Sequence, residues 1–332
     1  MLKPNPDRVR IYTSLYPAVV SAIKPAVEKQ VAAAMPGVRV DWVQGGSSYL
    51  RRQLDGELAK GESAADLLLT TDPSHYVALK EAGRLLPYES PQAARLPADT
   101  KEPEHLWTVA RYSVMVIGVA AGREKPRSFA DLAERPGLDV SIGDPDFSGT
   151  NLVTVARLSK RHGWEFYEKL KARKVVVAGS NSTVMERLET GTTDAGIVLL
   201  ENVLAARAKG SKVSVVQPAD GGIVVPGLLA LLPHAKKSRG AKAAYDAILS
   251  PEVQAILVEK GWMHSADPAL APPAGAPKLE KILGAAPLAS IFEPIDSVEV
   301  KAHFAKLFTR EMVAPASVPP PSPTASPAPA SP

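Results

Sequence analysis

From residue 8 onward the chain alternates short β-branched runs with amphipathic stretches, a pattern that predicts an α/β fold with largely parallel sheets. Strand-like runs fall at 8–12, 38–43, 66–70, 113–119, 139–142, 174–177, 195–199, 212–216 and 228–232. Helical periodicity fills most of the gaps between them. The first helix follows Pro17, a residue favoured at the first helical position, and its apolar stripe is Val20, Ile23, Val27 and Val31, with a distortion expected at Pro25. The second carries Leu50, Leu54 and Leu58 at i, i+4, i+8 spacing. Leu152, Val155 and Leu158, then Val184 and Leu188, mark two more. All of these stripes predict core. From residue 313 the sequence turns to Pro, Ala and Ser, with too little apolar surface to offset ordering entropy, which predicts a disordered tail over 313–332.

In open parallel α/β sheets, ligands bind beyond the carboxyl ends of the strands, where N–H groups of the following helix point outward and favour negative charge. Five strand-to-helix turns therefore matter. The first holds Thr13, Ser14 and Tyr16; the second Gly45, Gly46, Ser47 and Ser48; the third Thr70, Thr71 and Asp72. The fourth runs from Asp144 to Asn151 and sets Ser148, Gly149 and Thr150 at the mouth of a helix, a good cradle for an oxyanion. The fifth holds Gly179, Ser180, Asn181, Ser182 and Thr183, with Thr183 and Glu186 at capping-box spacing. Any one such turn is accounted for by helix capping. Five at corresponding strand ends point to a site.

The 332 residues are 45% hydrophobic, enough for two sizeable cores. A net charge of +4 from scattered Lys and Arg describes a mildly basic surface, which gives no support to nucleic-acid binding. The lack of cysteine excludes disulfides, thiolate zinc sites and thiol nucleophiles in this chain. The six histidines make no HxH or HExxH spacing, and the glycines form neither GxGxxG nor GxxxxGK[ST]. These absences argue against a zinc hydrolase, a nucleotide enzyme and, with Asp72, Asp144 and Asp146 read as turn acceptors, against an enzyme in general. No cofactor is expected. No apolar run approaches the roughly 20 residues of a membrane helix. The start lacks a secretory h-region, which implies a leader removed upstream or a cytoplasmic protein.

The order of motifs resembles family 1 of the extracellular solute-binding proteins, a group that includes ferric-ion, phosphonate and sugar-phosphate binders. The segments that carry the resemblance are IYTSLYPAVVSAIKPAVEK, VQGGSSYLRRQL, ADLLLTTDPSHYVALKEAGRLLPY, RYSVMVIGV, PRSFADLAERP, GDPDFSGTNLVTVARL, NSTVMERLETGTTDAGIVLLEN and SPEVQAILVEKGW, spanning about 8–312. The resemblance implies a type II periplasmic-binding fold of two lobes joined by crossover strands, with a ligand cleft between them. Lobe 1 would comprise 8–111 plus 225–275, and lobe 2 would comprise 112–224 plus 276–312. Arg111 and Tyr112 would lie at the first crossover. The function implied is capture of a small anionic solute, a phosphonate, phosphate ester or carboxylate, by a monomeric periplasmic component of an ABC importer that delivers it to a membrane permease.

Iron-binding members of that group carry adjacent tyrosines where this chain has Glu201 and Asn202. A ferric site here would have to use Tyr16, Asp72 and Glu201, and is the alternative reading. A cytoplasmic ligand sensor on the same fold is a second. For an organic anion, Ser148, Gly149, Thr150 and Asn181 would donate from one lobe, and Thr13, Ser14, Gly46, Ser47, Ser48 and Thr71 from the other. Arg111 would add charge, and Glu201 would meet a cation or hydroxyls. Tyr16, Tyr49 and Tyr112 are expected to wall the cleft.

Overall fold

The computed structural model describes residues 6–61, 63–284 and 288–308; the Pro/Ala/Ser tail expected over 313–332 lies outside them. The first half of the fold runs β1 (Arg8–Thr13), α1 (Pro17–Ala34), β2 (Arg39–Gln44), α2 (Ser47–Ala59), β3 (Leu67–Thr70), α3 (Pro73–Glu81) and β4 (Thr108–Val119). It continues with α4 (Phe129–Glu134), β5 (Val140–Ile142), α5 (Gly149–His162), α6 (Glu165–Ala172), β6 (Val176–Val177), α7 (Asn181–Glu189), β7 (Ala195–Leu199) and α8 (Leu200–Ala208). The chain then returns through β8 (Ser214–Val216), β9 (Ile223–Leu231), α9 (Ala241–Leu249), α10 (Pro251–Glu259), β10 (His264–Ser265), α11 (Leu279–Leu283) and α12 (Ser297–Leu307).

The strands order as β2-β1-β3-β9-β4-β7-β5-β6. Two parallel groups result, β2-β1-β3 and β7-β5-β6, each flanked by one long antiparallel strand, β9 or β4. Those two long strands pair with each other from Thr108↔Leu229 to Met115↔Ile223 and cross between the lobes. This is the two-lobed α/β fold with crossover strands. Every residue of β4 is buried, with Val114 and Val116 in one apolar core and Met115, Ile117 and Val119 in the other, as period-two alternation requires. Helix α12 packs on α5 and α6, so the end of the described chain joins the second group.

Most predicted strands are present with shifted ends, and the shifts have physical causes. Strand β4 begins at Thr108 rather than 113, and β9 at Ile223 rather than 228. The added stretches contain Arg111, Pro226 and Gly227, residues that weaken a strand pattern, and the pairing shifts register between Val109 and Arg111. The bulge falls at Ala110, between the Val109↔Leu228 and Arg111↔Gly227 pairs and next to the proline, and such a bulge is what lets these residues sit in a central ladder. The predicted run 174–177 contracts to Val176–Val177. Helix α1 continues through Pro25; the proline is exposed, so water can bond the carbonyl that loses its helical partner. Among the described residues no helix is long and apolar enough to cross a membrane.

Tyr76 on α3 ties β3 to β9. Its fully buried hydroxyl donates to Leu228 O at 2.6 Å and accepts from Thr70 N at 3.0 Å. Removing the oxygen strands an N–H and a carbonyl in an apolar interior. Tyr76→Phe is therefore expected to lower unfolding free energy by about 1–3 kcal/mol, measured by denaturant titration, with the slope of the transition unchanged.

Candidate functional site

A cavity of about 310 Å³ opens between the two strand groups at the carboxyl ends of β1, β2, β3, β5 and β7. Four of the five predicted turns and part of the third contribute to it. The sequence-predicted residues that line it are Ser14, Tyr16, Gly46, Ser47, Thr71, Arg111, Ser148, Thr150, Asn181 and Glu201. They come from both ends of the sheet and from the crossover strand between.

Capping separates the turns. The α3 N-terminus is capped by Asp72, whose side chain accepts from His75 N, and the α7 N-terminus by Ser180, which accepts from Thr183 N. The cap is thus Ser180, three residues before the Thr183 of the predicted capping box. At α1, α2 and α5 the capping positions are Tyr16, Gly46 and Ser148, and none of them makes a side-chain cap bond. All three line the cavity. These helix starts leave N–H groups and hydroxyls for something other than the fold.

On the second lobe, Ser148 Oγ and Thr150 Oγ1 lie 2.8 Å apart, and Asn181 Nδ2 donates to them at 3.4 and 2.9 Å. On the first, Ser47 Oγ meets Thr71 Oγ1 at 3.2 Å. Below, Arg111 Nη1 donates to Ser113 Oγ at 2.6 Å, and Glu201 Oε2 accepts from Val114 N at 3.3 Å. Ser14 Oγ, Arg111 Nε, Asn181 Oδ1 and Glu201 Oε1 are buried without a partner, and all four belong to lining residues. Further such atoms lie away from the cavity, on Trp42, Glu57, His162, Tyr167 and Arg187.

Four predicted residues fall elsewhere. Asp72 is spent on Arg51 Nη1 at 3.2 Å, Ser74 Oγ at 2.5 Å and the α3 cap, so it does not line the cavity. Thr13 is fully buried and accepts from Leu15 N at 3.1 Å. Ser48 accepts from Lys301 Nζ at 3.4 Å. Gly149 does not line it either, because its backbone presses against the Thr71 carbonyl. The expected ferric set of Tyr16, Asp72 and Glu201 is therefore not assembled, and among the described residues no group of three His, Cys, Asp or Glu could hold a metal ion. Burial raises the Tyr16 pKa, opposed by its hydrogen bond from Asn202. Of the expected aromatic walls only Tyr16 lines the cavity: Tyr49 is 54% exposed, and Tyr112 is buried on the opposite face of β4.

Sequence reasoning missed Ser113, Gln44, Phe147 and Met263 among the lining residues. Ser113 carried a usable signal, since i and i+2 on a strand share a face and Arg111 was already a candidate. Gln44 ends β2 and donates to Leu15 O at 3.2 Å. Met263 comes from a distant segment with no local mark.

The profile of the family described as bacterial extracellular solute-binding protein matches residues 9–263. No curated protein matches the chain. Among solved structures, a substrate-binding protein of an ABC transporter from Agrobacterium tumefaciens is 18% identical, with a TM-score of 0.78 over 93% of this chain and 95% of that one. The periplasmic binding protein AfuA from Actinobacillus pleuropneumoniae, with fructose-6-phosphate bound, is 19% identical with a TM-score of 0.77 over 91% and 98%. Iron-bound HitA from Pseudomonas aeruginosa is 21% identical with a TM-score of 0.74 over 90% and 99%. At these identities the likeness establishes the fold they share.

The floor of the cavity carries an energetic penalty. Burial raises the Glu201 pKa, opposed by hydrogen bonds from Ser113 and by the Arg111 charge. Burial likewise lowers the pKa of Arg111. A carboxyl whose folded pKa exceeds its unfolded value stabilises the protein below about pH 4.3, and that contribution is lost as pH rises through the folded value. Glu201→Gln is therefore expected to flatten the decline of the ligand-free unfolding temperature above about pH 4.3, read by calorimetry across pH.

Proposed function

The chain belongs to the bacterial extracellular solute-binding proteins, and from that premise we propose that it is the substrate-binding component of an ABC importer that captures a small organic anion between its lobes. The observation that carries this reading is the set of helix starts without a side-chain cap, at Tyr16, Gly46, Ser148 and Leu199, that open on one cavity. Their N–H groups, with the Ser47, Thr71, Ser148 and Thr150 hydroxyls, are neutral donors suited to reversible capture of phosphoryl, phosphonyl or carboxylate oxygens. Arg111 supplies positive charge beneath them. Of the two neighbours above with named ligands, AfuA holds fructose-6-phosphate and HitA iron; the donor set here suits the first kind of ligand.

We take 8–111 plus 225–275 as the first lobe and 112–224 plus 276–312 as the second. Binding then works by differential contact. An anion held by Ser47 and Thr71 on one side and by Ser148, Thr150 and Asn181 on the other favours the closed arrangement, which a membrane permease can distinguish from the open one. Asn202 Nδ2 donating to Tyr16 Oη at 3.2 Å, Lys301 to Ser48, and Arg51 Nη1 to Ser297 Oγ at 3.3 Å bridge the same lobes. A periplasmic location and action as a monomer complete the reading.

Thermal-shift screening against phosphate esters, phosphonates, carboxylates and ferric citrate tests it, since a ligand at about 100 times its dissociation constant adds about 2.7 kcal/mol of stability. For the best anion, Ser148→Ala/Thr150→Ala is expected to weaken binding by about tenfold or more, and an unchanged affinity would remove the cradle. Closure has its own test. A Cβ on Gly46 would lie 2.5 Å from Phe147 O, and one on Gly149 would lie 2.7 Å from Thr71 C, each across the cleft. Gly46→Val is expected to abolish the ligand-induced decrease in radius of gyration seen by X-ray scattering.

A further inference from the structure

Helix α12 belongs to one lobe and reaches the other. Its apolar face is built into the second core: Phe304 is buried there, edge-on to Tyr167 at 5.7 Å between ring centroids, and His303 stacks on Trp164 at 3.9 Å. The segment leading into it is tied to α5, with Glu293 accepting from Arg157 at 2.9 Å and from Lys160 at 2.8 Å. Toward the first lobe it presents polar atoms. Ser297 Oγ accepts from Arg51 Nη1 at 3.3 Å, and Lys301 Nζ donates to Ser48 Oγ at 3.4 Å. The spacing is complementary: Ser297 and Lys301 stand at i, i+4 on α12, and Ser48 and Arg51 at i, i+3 on α2, so each pair shares one helix face.

This seam is made to open and close. Both bonds are longer than the usual range. Arg51 Nη1, which has two hydrogens, also donates to Asp72 Oδ2 at 3.2 Å and to Ser74 Oγ at 3.1 Å, both within its own lobe. Opening therefore costs Arg51 one shared contact, while Ser297, Ser48 and Lys301 regain water. An apolar seam would expose hydrocarbon instead and hold the lobes shut. The Lys301 ammonium feels both lobes: burial lowers its pKa, the charges of Asp72 on the first lobe and Asp146 on the second oppose that shift, and Arg51 and Arg52 add to it. The seam also stands apart from the ligand, since none of Ser48, Arg51, Ser297 and Lys301 lines the cavity. Its contribution to closure is present when the cavity is empty.

We propose that α12 is a closure latch, anchored in the second lobe, whose Ser297 and Lys301 engage Arg51 and Ser48 of the first and hold part of the ligand-free population closed. This rests on the two-lobed reading above and concerns how the site is regulated, whatever it binds. Ligand-driven closure then starts from an equilibrium already poised, and the latch residues tune apparent affinity without touching the ligand.

The chain lacks cysteine, so two spin labels can be placed without background, at Lys60→Cys beyond α2 and Lys171→Cys on α6, both exposed positions. Double electron–electron resonance on the labelled, ligand-free full chain reads the separation of the lobes. Two components are expected, the one at the separation of the present structure amounting to at least about a tenth of the population. Ser297→Ala/Lys301→Met is expected to lower the closed-to-open ratio by about threefold or more. Glu299→Ala, at an exposed position of the same helix, is expected to leave the ratio unchanged. Ser48→Ala, which removes only the Lys301 acceptor, is expected to give a smaller shift in the same direction and serves if the double variant does not fold. A ratio unmoved by the latch variants, or moved equally by Glu299→Ala, would overturn the proposal, as would a parent chain with no closed component. No ligand enters the measurement, so a failed screen against anions leaves this result readable, and a failed latch leaves the anion reading standing.

Discussion

The antiparallel pairing of β4 with β9 is the constraint on which the rest of this molecule depends. Each parallel group of strands is attached to one of these two long strands, and the two meet along Thr108–Met115 and Ile223–Leu229. Because the pair crosses between the lobes, its geometry sets how the two sets of strand ends face one another. The bulge near Arg111 falls within this pairing, so the feature that joins the lobes also delivers the charged side chain to the cavity floor. Pro226 and Gly227 on the partner strand are residues a central ladder ordinarily excludes. Here the glycine leaves the space that the arginine side chain occupies.

Burying Arg111 and Glu201 without fully pairing them opposes folding, since each is held away from water with an unused hydrogen-bonding atom. A protein selected only for stability would place apolar residues there. The same economy explains the helix starts. Asp72 and Ser180 serve as ordinary caps and stabilise their helices, whereas α1, α2 and α5 forgo that contribution at the cavity.

Much of the fold was legible in the sequence. The alternating pattern gave the α/β class, the stripes of α1, α5 and α7 and, except for the half-buried Leu58, of α2 are buried, and the run 195–199 is β7. The crossover strands were only half visible, since Arg111, Pro226 and Gly227 interrupt the strand pattern and are accommodated only by long-range pairing. The site was legible as a set of turns. Asp72 and Ser48 looked as eligible as Thr71 and Ser47, and nothing local told them apart. What separates them is the position of Arg51 on α2 and Lys301 on α12, both remote in sequence, which take up those two polar groups.

The sequence by itself determined which turns carry hydroxyls and small residues at strand ends, and that no cysteine or histidine motif supports thiolate or zinc chemistry. Those properties depend on residue type and short-range spacing. The tertiary structure decided which helix starts are left uncapped, which of the candidate side chains share one cavity, and which buried atoms there remain without partners. Each of these depends on contacts between segments up to some hundreds of residues apart, made through the β4–β9 pair and the packing of α12, and such contacts leave no periodic trace in the chain.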